Sequence, residues 1–262
     1  MKVAVVQTEP VFGERGRNIT RALALMRSVD ADLYLLPELF ATGYLFTSRE
    51  ELSQLSEPVM GATVAGLVDF SRARNAMVFA GMAEAEGKNL YNSSVLIAQG
   101  KVEAVYRKLH LFMNEKNLFD RAENPPVVYK ASGACLGLMV CFDWIFPEMA
   151  RSLTLKGAQV LCLSANLVLP WCQKAMITRS LENGVFTLLA NRVGTECRGG
   201  QSLTFTGGSE IVDPRGCVLA QASTDKEEVI TAEIDPGKAD DKMITLTNHL
   251  LNDRRTDIYR DS

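Results

Sequence analysis

One cysteine stands where an apolar strand gives way to a helix, and that placement suits a nucleophile. Cys141 follows residues 134–140, which have the pattern of a buried strand, and Pro147 fits the first turn of the next helix. The free N–H groups and positive end of a helix favour the thiolate, the reactive form of cysteine. Cys141 is therefore predicted to attack an electrophilic carbon, and an inert core cysteine is the alternative interpretation.

A carboxylate and an ammonium group follow two further predicted strands. Glu38 comes after residues 32–36, and an apolar setting raises the pKa of a carboxylate towards that of a useful general base. Lys108 comes after residues 101–106, and its ammonium could pair with Glu38, favour a thiolate and neutralise an oxyanion. Taken singly, Glu38 also fits a capping or surface glutamate, and Lys108 a solvated lysine.

The three groups are expected to meet, because α/β sheets place their sites where strands end. His110 lies two residues beyond Lys108, so a Cys141–His110 pair is a competing mechanism. The only other histidine is His249, and neither belongs to an HExxH ligand pair. The six cysteines lack the short paired spacings of a zinc site or redox dithiol. We therefore predict no metal and no disulfide framework.

Composition argues against several classes of partner. The 262 residues are 47% hydrophobic and carry a formal net charge of −3 at pH 7, which is typical of a soluble globular protein with a substantial core. A slightly acidic chain without a basic run is not expected to bind nucleic acid or anionic lipid. The apolar run at residues 3–6 is too short for a signal peptide or a membrane span. We expect a cytoplasmic protein with no membrane partner.

Alternating patterns along the chain predict an α/β fold. No repeat, linker or composition shift divides residues 1–262, so one domain is expected. Several strands are apolar on both faces, which requires at least three layers. Periodicity predicts strands at 2–7, 32–36, 77–82, 90–98, 101–106, 134–140, 160–164, 186–190, 208–212, 217–222 and 228–234, and helices at about 16–28, 63–74, 147–155 and 174–182.

Three segments, in order, resemble the nitrilase superfamily of carbon–nitrogen hydrolases. They are PELF at 37–40, YRKLHLF at 106–112 and VCFDWIFPE at 140–148, and the similarity runs from VAVVQ at 3–7 to DPRG at 213–216. The resemblance implies a four-layer α-β-β-α sandwich of two stacked mixed sheets with helices outside. It also implies a triad of Glu38, Lys108 and Cys141, so that His110 is not the base, and it implies no cofactor.

The same resemblance implies further site residues. A second glutamate in this family helps to place substrate and lysine, and Glu115 matches it best, with Glu123 as the other candidate. The backbone N–H of Phe142 is expected to help stabilise the oxyanion, and Asn166 is expected to contact substrate. Trp144 could wall a small pocket, as could Phe146 and Trp171, although core packing is the alternative role for aromatic residues.

The implied function is hydrolysis of a small amide through a Cys141 thioester, which releases ammonia and a carboxylic acid. Hydrolysis of a small nitrile or of an N-carbamoyl compound is the alternative, because the same triad serves all three substrates in the superfamily. A non-catalytic interaction module and a redox thiol partnered by Cys135 are further hypotheses. The triad argues against the first, and the distance along one strand argues against the second. Relatives also imply a homodimer or higher oligomer, with the tail at about 244–262 near the interface.

Overall fold

Strands and short helices alternate through residues 1–259, which are the residues that the computed structural model describes. The strands are β1 (Lys2–Gln7), β2 (Leu33–Leu35), β3 (Met77–Glu86), β4 (Asn89–Ala98), β5 (Lys101–Arg107), β6 (Val128–Ala131), β7 (Ala134–Val140), β8 (Val160–Ser164), β9 (Phe186–Ala190), β10 (Thr195–Arg198), β11 (Gln201–Thr204), β12 (Glu210–Val212), β13 (Val218–Gln221) and β14 (Glu228–Glu233). The helices are α1 (Arg15–Arg27), α2 (Arg49–Leu55), α3 (Ala62–Arg74), α4 (Glu115–Leu118), α5 (Pro147–Leu155) and α6 (Cys172–Asn183), with 3-10 turns at Cys141–Ile145 and Pro236–Ala239.

Two mixed sheets of six strands form the centre of the fold. The first has the order β14-β1-β2-β3-β4-β5 and the second the order β13-β12-β9-β8-β7-β6. In each sheet the middle strands are parallel, β1 with β2 and β3 in the first and β7 with β8 and β9 in the second. Parallel neighbours bring their carboxyl ends to one edge, which is where this class of sheet places its functional groups.

Alternation of side chains along β1 shows how the layers are arranged. Val3 and Val5 belong to a core shared with residues of the second sheet, whereas Ala4 and Val6 belong to a core shared with residues of α1 and α3. Successive residues of a strand point to opposite faces, so the first sheet is covered on both sides. Helices α5 and α6 contact β7 and β9 of the second sheet. The predicted four-layer α-β-β-α sandwich is confirmed.

A direct bond between the sheets aligns their carboxyl ends. Ser164, the last residue of β8, donates its hydroxyl to the backbone oxygen of Leu36, just beyond β2, at 2.8 Å. Both residues are buried, so the bond forms away from competing water. The ends of β2 and β8, from different sheets, are therefore held together.

Element bounds differ from prediction mainly where the segment is short or polar. Strand β3 runs four residues beyond its predicted end, because residues 83–86 pair with β4 although two of them are glutamates. The edge strand β6 was not predicted, although the turn Ser132-Gly133 that joins it to β7 has positive φ at both residues, as a two-residue hairpin requires. Helix α2 was also not predicted, although Ser48 caps it by accepting a hydrogen bond from the N–H of Glu51 at 3.2 Å. The short helix α4 and the polar hairpin β10–β11 were not predicted either.

The segment just before the tail packs against the end of α6. Lys242 donates its ammonium group to the backbone oxygens of Asn183 and Gly184 at 2.9 and 2.8 Å, which caps the last turn of α6. Burial lowers the pKa of Lys242 to about 8. The predicted tail segment extends to residue 262, and its last three residues lie outside the described part of the chain. In residues 1–259, no helix has both the length and the apolarity needed to cross a bilayer.

Candidate active site

Glu38 lies just beyond β2, where the chain turns away from the first sheet. Its backbone passes so close to β3 that a Cβ built on Gly81 would lie 2.5 Å from the Cα of Glu38. A residue with a side chain therefore cannot occupy position 81 without displacing Glu38. The N–H of Gly81 donates to the backbone oxygen of Pro37 at 3.2 Å. Glu38 is thus fixed by backbone contacts on β3.

Lys108 follows β5 directly, and one residue of β4 holds it beside Glu38. The backbone oxygen of Asn92 accepts a hydrogen bond from the N–H of Lys108 at 2.8 Å, while its side-chain nitrogen donates to Oε1 of Glu38 at 2.7 Å. Asn92 is buried. The strand position of Asn92 therefore sets the Glu38 carboxylate and the Lys108 ammonium group relative to each other.

Two carboxylates share the ammonium group of Lys108. Its Nζ lies 2.8 Å from Oε1 of Glu38 and 2.8 Å from Glu115, and all three side chains are buried. Burial opposes the charge of Lys108, but the attraction of Glu115 and then of Glu38 outweighs it, so the pKa of Lys108 is raised. The ammonium group is therefore charged throughout the physiological pH range.

The environment of Glu38 suits a proton acceptor. Burial is the largest cause of its raised pKa; the charge of Lys108 lowers that pKa, and the charge of Glu115 raises it. Oε1 accepts hydrogen bonds from Asn92 and Lys108, whereas Oε2 is buried and has no hydrogen-bond partner in residues 1–259. One oxygen is fixed in place and the other is available to take a proton.

Glu115 opens the short helix α4 and is the second carboxylate that binds Lys108. Its carboxylate accepts hydrogen bonds from the hydroxyl of Tyr44 at 2.7 Å and from the backbone N–H of Phe112 at 3.1 Å. Glu123, the alternative candidate for this role, is exposed to solvent. The contact with Lys108 therefore favours Glu115.

Cys141 begins a 3-10 turn directly after β7, as the strand pattern predicts, and its backbone is left-handed. Its φ of 41° is unusual for a residue with a side chain and costs about 1 kcal/mol or more. The thiol is buried and donates a long hydrogen bond to the backbone oxygen of Asn166 at 3.9 Å. A strained turn at a strand end presents this side chain to the space between the sheets' carboxyl ends.

The protonation state of Cys141 differs from the sequence-based expectation. Burial, followed by the charge of Glu38, raises the pKa of Cys141 well above its ordinary value, although Lys108 lowers it. The expectation that a helix end favours the thiolate is therefore wrong for the resting protein, because removal from water outweighs the positive charge nearby. The charges of Glu38, Lys108 and Glu115 therefore all act on the pKa of the Cys141 thiol.

His110 is held by a different partner from the one that a Cys–His pair would need. Its Nδ1 lies 2.7 Å from Oδ1 of Asp143, and its ring stacks on Phe146 with centroids 3.9 Å apart. In the described part of the chain, the hydrogen bond of the Cys141 thiol goes to Asn166 and not to this ring. The geometry does not support His110 as the base.

A narrow cavity lies beside Cys141. It has a volume of about 10 Å³, room for about one water molecule, and is lined by Phe112, Phe142, Trp144, Asn166 and residues 167–169. Both polar atoms of the buried Asn166 side chain lack a hydrogen-bond partner in residues 1–259, so they are available to a ligand. Trp171 is 56% exposed and does not line the cavity.

A much larger groove, about 920 Å³, lies elsewhere between α1 and β10. It contains none of the groups around Lys108, so its size does not make it the reaction site. No three His, Cys, Asp or Glu side chains of residues 1–259 are placed so that they could hold a metal ion.

Comparison with known proteins assigns the chain to a family. The carbon-nitrogen hydrolase family model matches residues 2–241. The chain belongs to the carbon–nitrogen hydrolases. A nitrilase of Pyrococcus abyssi is 41% identical over 99% of both chains. The carbon-nitrogen hydrolase from Helicobacter pylori G27 superposes with a TM-score of 0.88 at 27% identity, covering 99% of this chain and 96% of that one.

A third similar protein has a covalently modified cysteine. It is a glutamate-to-glutamine mutant of the amidase from Nesterenkonia sp. AN1, described as showing covalent addition of the acetamide moiety of fluoroacetamide at the active site cysteine. Its TM-score is 0.79 at 27% identity, covering 98% of this chain and 94% of that one. This carbon–nitrogen hydrolase is therefore similar both to proteins named nitrilase and to proteins named amidase.

Several residues around the site were not predicted from the sequence. Asn92 holds Glu38, Tyr44 holds Glu115, and Asp143 holds His110. Asn92 falls in a segment that shares the family resemblance, so a signal was present for it. For Tyr44 the partner is 71 residues away, and only the folded chain shows the contact.

Proposed function

We propose that this carbon–nitrogen hydrolase is a thiol amidase that converts a small amide into a carboxylic acid and ammonia. The observation that carries the proposal is the buried contact of Lys108 with Glu38 and Glu115, 2.8 Å from each. The charges of these groups act on the thiol of Cys141, which sits on a strained turn. Such a cluster of charges is costly to bury. A catalytic role explains why the protein keeps it, because acyl transfer requires a base, a nucleophile and a cation.

Proton transfer begins the reaction. Oε2 of Glu38, which lacks a partner, takes the proton of the Cys141 thiol as sulfur attacks the amide carbon. Burial raises the pKa of both groups, which favours a neutral thiol at rest and makes the ionised form of Glu38 a stronger base. The thiolate then forms only as the carbon–sulfur bond forms.

Charge on the carbonyl oxygen is stabilised by two donors. Lys108 supplies a permanent positive charge. Phe142 supplies a backbone N–H from the first turn of the 3-10 segment Cys141–Ile145. The first N–H groups of such a turn have no acceptor inside it, so this N–H can bind the oxyanion. Glu38 returns the proton to the leaving nitrogen, the carbon–nitrogen bond breaks, and ammonia departs from a Cys141 thioester. Glu38 then activates the water that hydrolyses the thioester to acid and free thiol.

The remaining residues orient the reactants. Glu115 holds Lys108 and is proposed to help position the amide, as the family resemblance implies. Asn166 lines the cavity with an unpartnered amide group, which can bind a polar atom of the substrate. Trp144 and Phe142 form apolar walls of the same cavity.

The cavity walls also restrict the charge of the substrate. The cavity has room for about one water molecule, so its walls must move apart to admit an acyl group. None of the lining side chains carries a charge at neutral pH, and a charged acyl group between these walls would lose water without gaining a counter-ion from them. We therefore propose a small, uncharged acyl group. Butyramide should have a kcat/KM about 100-fold higher than 4-aminobutyramide or succinamate, which have similar length and opposite charges. Equal values for the three would contradict this selectivity.

Nitrile hydrolysis is the second candidate. The similarity to a protein named nitrilase, 41% identical over 99% of both chains, favours it, and the same cysteine could attack a nitrile carbon to give a thioimidate. The segment Cys141-Phe142-Asp143 favours the amide, because many nitrilases have Cys-Trp-Glu there. Substrate panels separate the two candidates.

Ammonia release tests the function. The parent protein and a Cys141→Ala variant would be incubated with small aliphatic amides, ω-amides, carbamoyl compounds and nitriles. We expect release from at least one uncharged amide by the parent and none above background by the variant. Ammonia release by the variant at the parent rate would exclude the proposed chemistry. Ammonia release by the parent from nitriles alone would contradict the amidase proposal and support the nitrilase candidate.

A homodimer is part of the proposal. Lys242, just before the tail, binds the end of α6, and the tail itself leaves apolar side chains in solvent, with Leu246 99% exposed and Ile258 64% exposed. Exposed apolar surface of this kind is typical of an interface. Light scattering should give a dimer or larger mass for the parent and a smaller mass for a Leu246→Ser, Ile258→Ser variant. A monomeric parent would contradict the proposal.

A further inference from the structure

Asp143 has a fully buried carboxylate. Neither the sequence analysis nor the proposed mechanism gives it a role. Four donors surround it: the hydroxyl of Tyr106 at 2.6 Å and the backbone N–H of Val140 at 2.9 Å contact Oδ2, and the backbone N–H and Nδ1 of His110 contact Oδ1 at 3.2 and 2.7 Å. These donors satisfy both oxygens of the buried side chain. The cost of burying it is therefore offset locally.

One side of Asp143 closes the turn that carries the nucleophile. Oδ2 binds the N–H of Val140, the residue before Cys141, so the chain from 140 to 143 forms a ring of contacts around the cysteine. Cys141 itself has a left-handed φ of 41°, a conformation that persists only when surrounding contacts hold it. Asp143 supplies such a contact from two residues further along.

The other contacts of Asp143 reach the segment that carries the ammonium group. Tyr106 lies two residues before Lys108 and His110 two residues after it, and both bind the same carboxylate. The two segments belong to different sheets, β5 to the first and β7 to the second. One side chain thus ties the end of each sheet to the other at the point where Cys141 and Lys108 must meet.

We infer that Asp143 is a positioning residue that fixes the Cys141 turn against both flanks of Lys108. The inference rests on the proposed function, because it matters only if Cys141 and Lys108 act on the same carbonyl group of the substrate. Removal of a donor from Asp143 should let the turn and the ammonium group drift apart. The loss should then appear in the chemical step and in thiol reactivity, with substrate binding largely retained.

The test compares Tyr106→Phe and Asp143→Asn with the parent. The control is Tyr129→Phe, which removes the same hydroxyl from the half-buried edge strand β6. Four quantities would be measured: kcat and KM with the amide that the parent hydrolyses, the rate at which iodoacetamide alkylates Cys141, and the midpoint of thermal unfolding. Alkylation is followed by peptide mass, so it does not depend on turnover.

We expect Tyr106→Phe to lower kcat and the alkylation rate by about 10-fold and Asp143→Asn to lower them by about 100-fold, the loss typical of a shift of about 1 Å between reacting groups. KM should change by less than about 3-fold, and the control should match the parent. If Asp143→Asn does not fold, Tyr106→Phe decides the question.

Two outcomes would overturn the inference in distinguishable ways. A Tyr106→Phe variant with a lower unfolding midpoint but the parent's kcat and alkylation rate per folded molecule would show a purely structural role for the contact. A parent that is neither alkylated at Cys141 nor active on any amide or nitrile would overturn the proposed function, and the inference with it.

Discussion

Replacing Glu115 by glutamine should move the acid limb of the pH–activity profile to lower pH. In the proposed mechanism Glu38 must be deprotonated to accept the thiol proton, so kcat/KM should fall as pH drops through the pKa of Glu38. Burial raises that pKa most, Lys108 lowers it, and the charge of Glu115 raises it. Glu115→Gln keeps the side-chain shape and removes only the last contribution. The pKa of Glu38 must then fall.

The size of the shift follows from the geometry around Lys108. An oxygen of each carboxylate lies 2.8 Å from Nζ, so the two oxygens are at most about 5.6 Å apart. Like charges at that distance repel by about 3 kcal/mol at an effective dielectric constant of about 20, which corresponds to about two pKa units. We expect the acid limb to move down by about one to two pH units. Plateau kcat should fall by about 10-fold, because the base is weaker.

The assay is the initial rate of ammonia release between pH 4 and 9 at several substrate concentrations. Glu123→Gln is the matched control, because Glu123 is exposed to solvent and its replacement should leave the profile unchanged. Circular dichroism and thermal unfolding would confirm that both variants fold. An acid limb of Glu115→Gln that coincides with the parent's, or lies at higher pH, would refute the electrostatic reasoning.

Two further variants test the energetics of buried charge. Lys108→Met leaves two buried carboxylates without their cation and should lower the free energy of unfolding in urea by about 3 to 5 kcal/mol; a midpoint equal to that of the exposed control Lys130→Met would contradict this. Burial raises the pKa of Glu210 to about 8, so between about pH 4.5 and 8 the folded protein holds a proton that the unfolded chain releases, and stability falls as pH rises. Glu210→Gln should therefore gain stability relative to the parent as pH increases through that window, and parallel curves of thermal midpoint against pH would contradict it.

The residues that follow long buried strands could be placed from the sequence. Glu38, Lys108 and Cys141 each come at or just after the end of an apolar or alternating run, and strand ends in an α/β sheet converge. The four-layer architecture followed from the family resemblance, and strands that are apolar on both faces supported it. These features depend on local patterns, which a single chain records directly.

Contacts between distant segments could not be placed in the same way. Asp143 reads as a polar residue beside the nucleophile, and its bonds to Tyr106 and His110 exist only once β5 and β7 come together. The pKa of Cys141 was predicted in the wrong direction, because a helix end is visible in the sequence while complete burial beside a carboxylate is not. Short polar elements such as β10 and β11 bury little and leave a weak pattern.

The most direct test of the account is the mass of the cysteine peptide during turnover. The protein would be mixed with a small uncharged amide, quenched in acid within the first turnovers and digested, and the peptide that contains Cys141 would be weighed before and after hydroxylamine treatment. The account predicts a mass increase equal to one acyl group on Cys141 that hydroxylamine removes. Steady ammonia release with an unmodified Cys141, retained at the parent rate by Cys141→Ala, would contradict it.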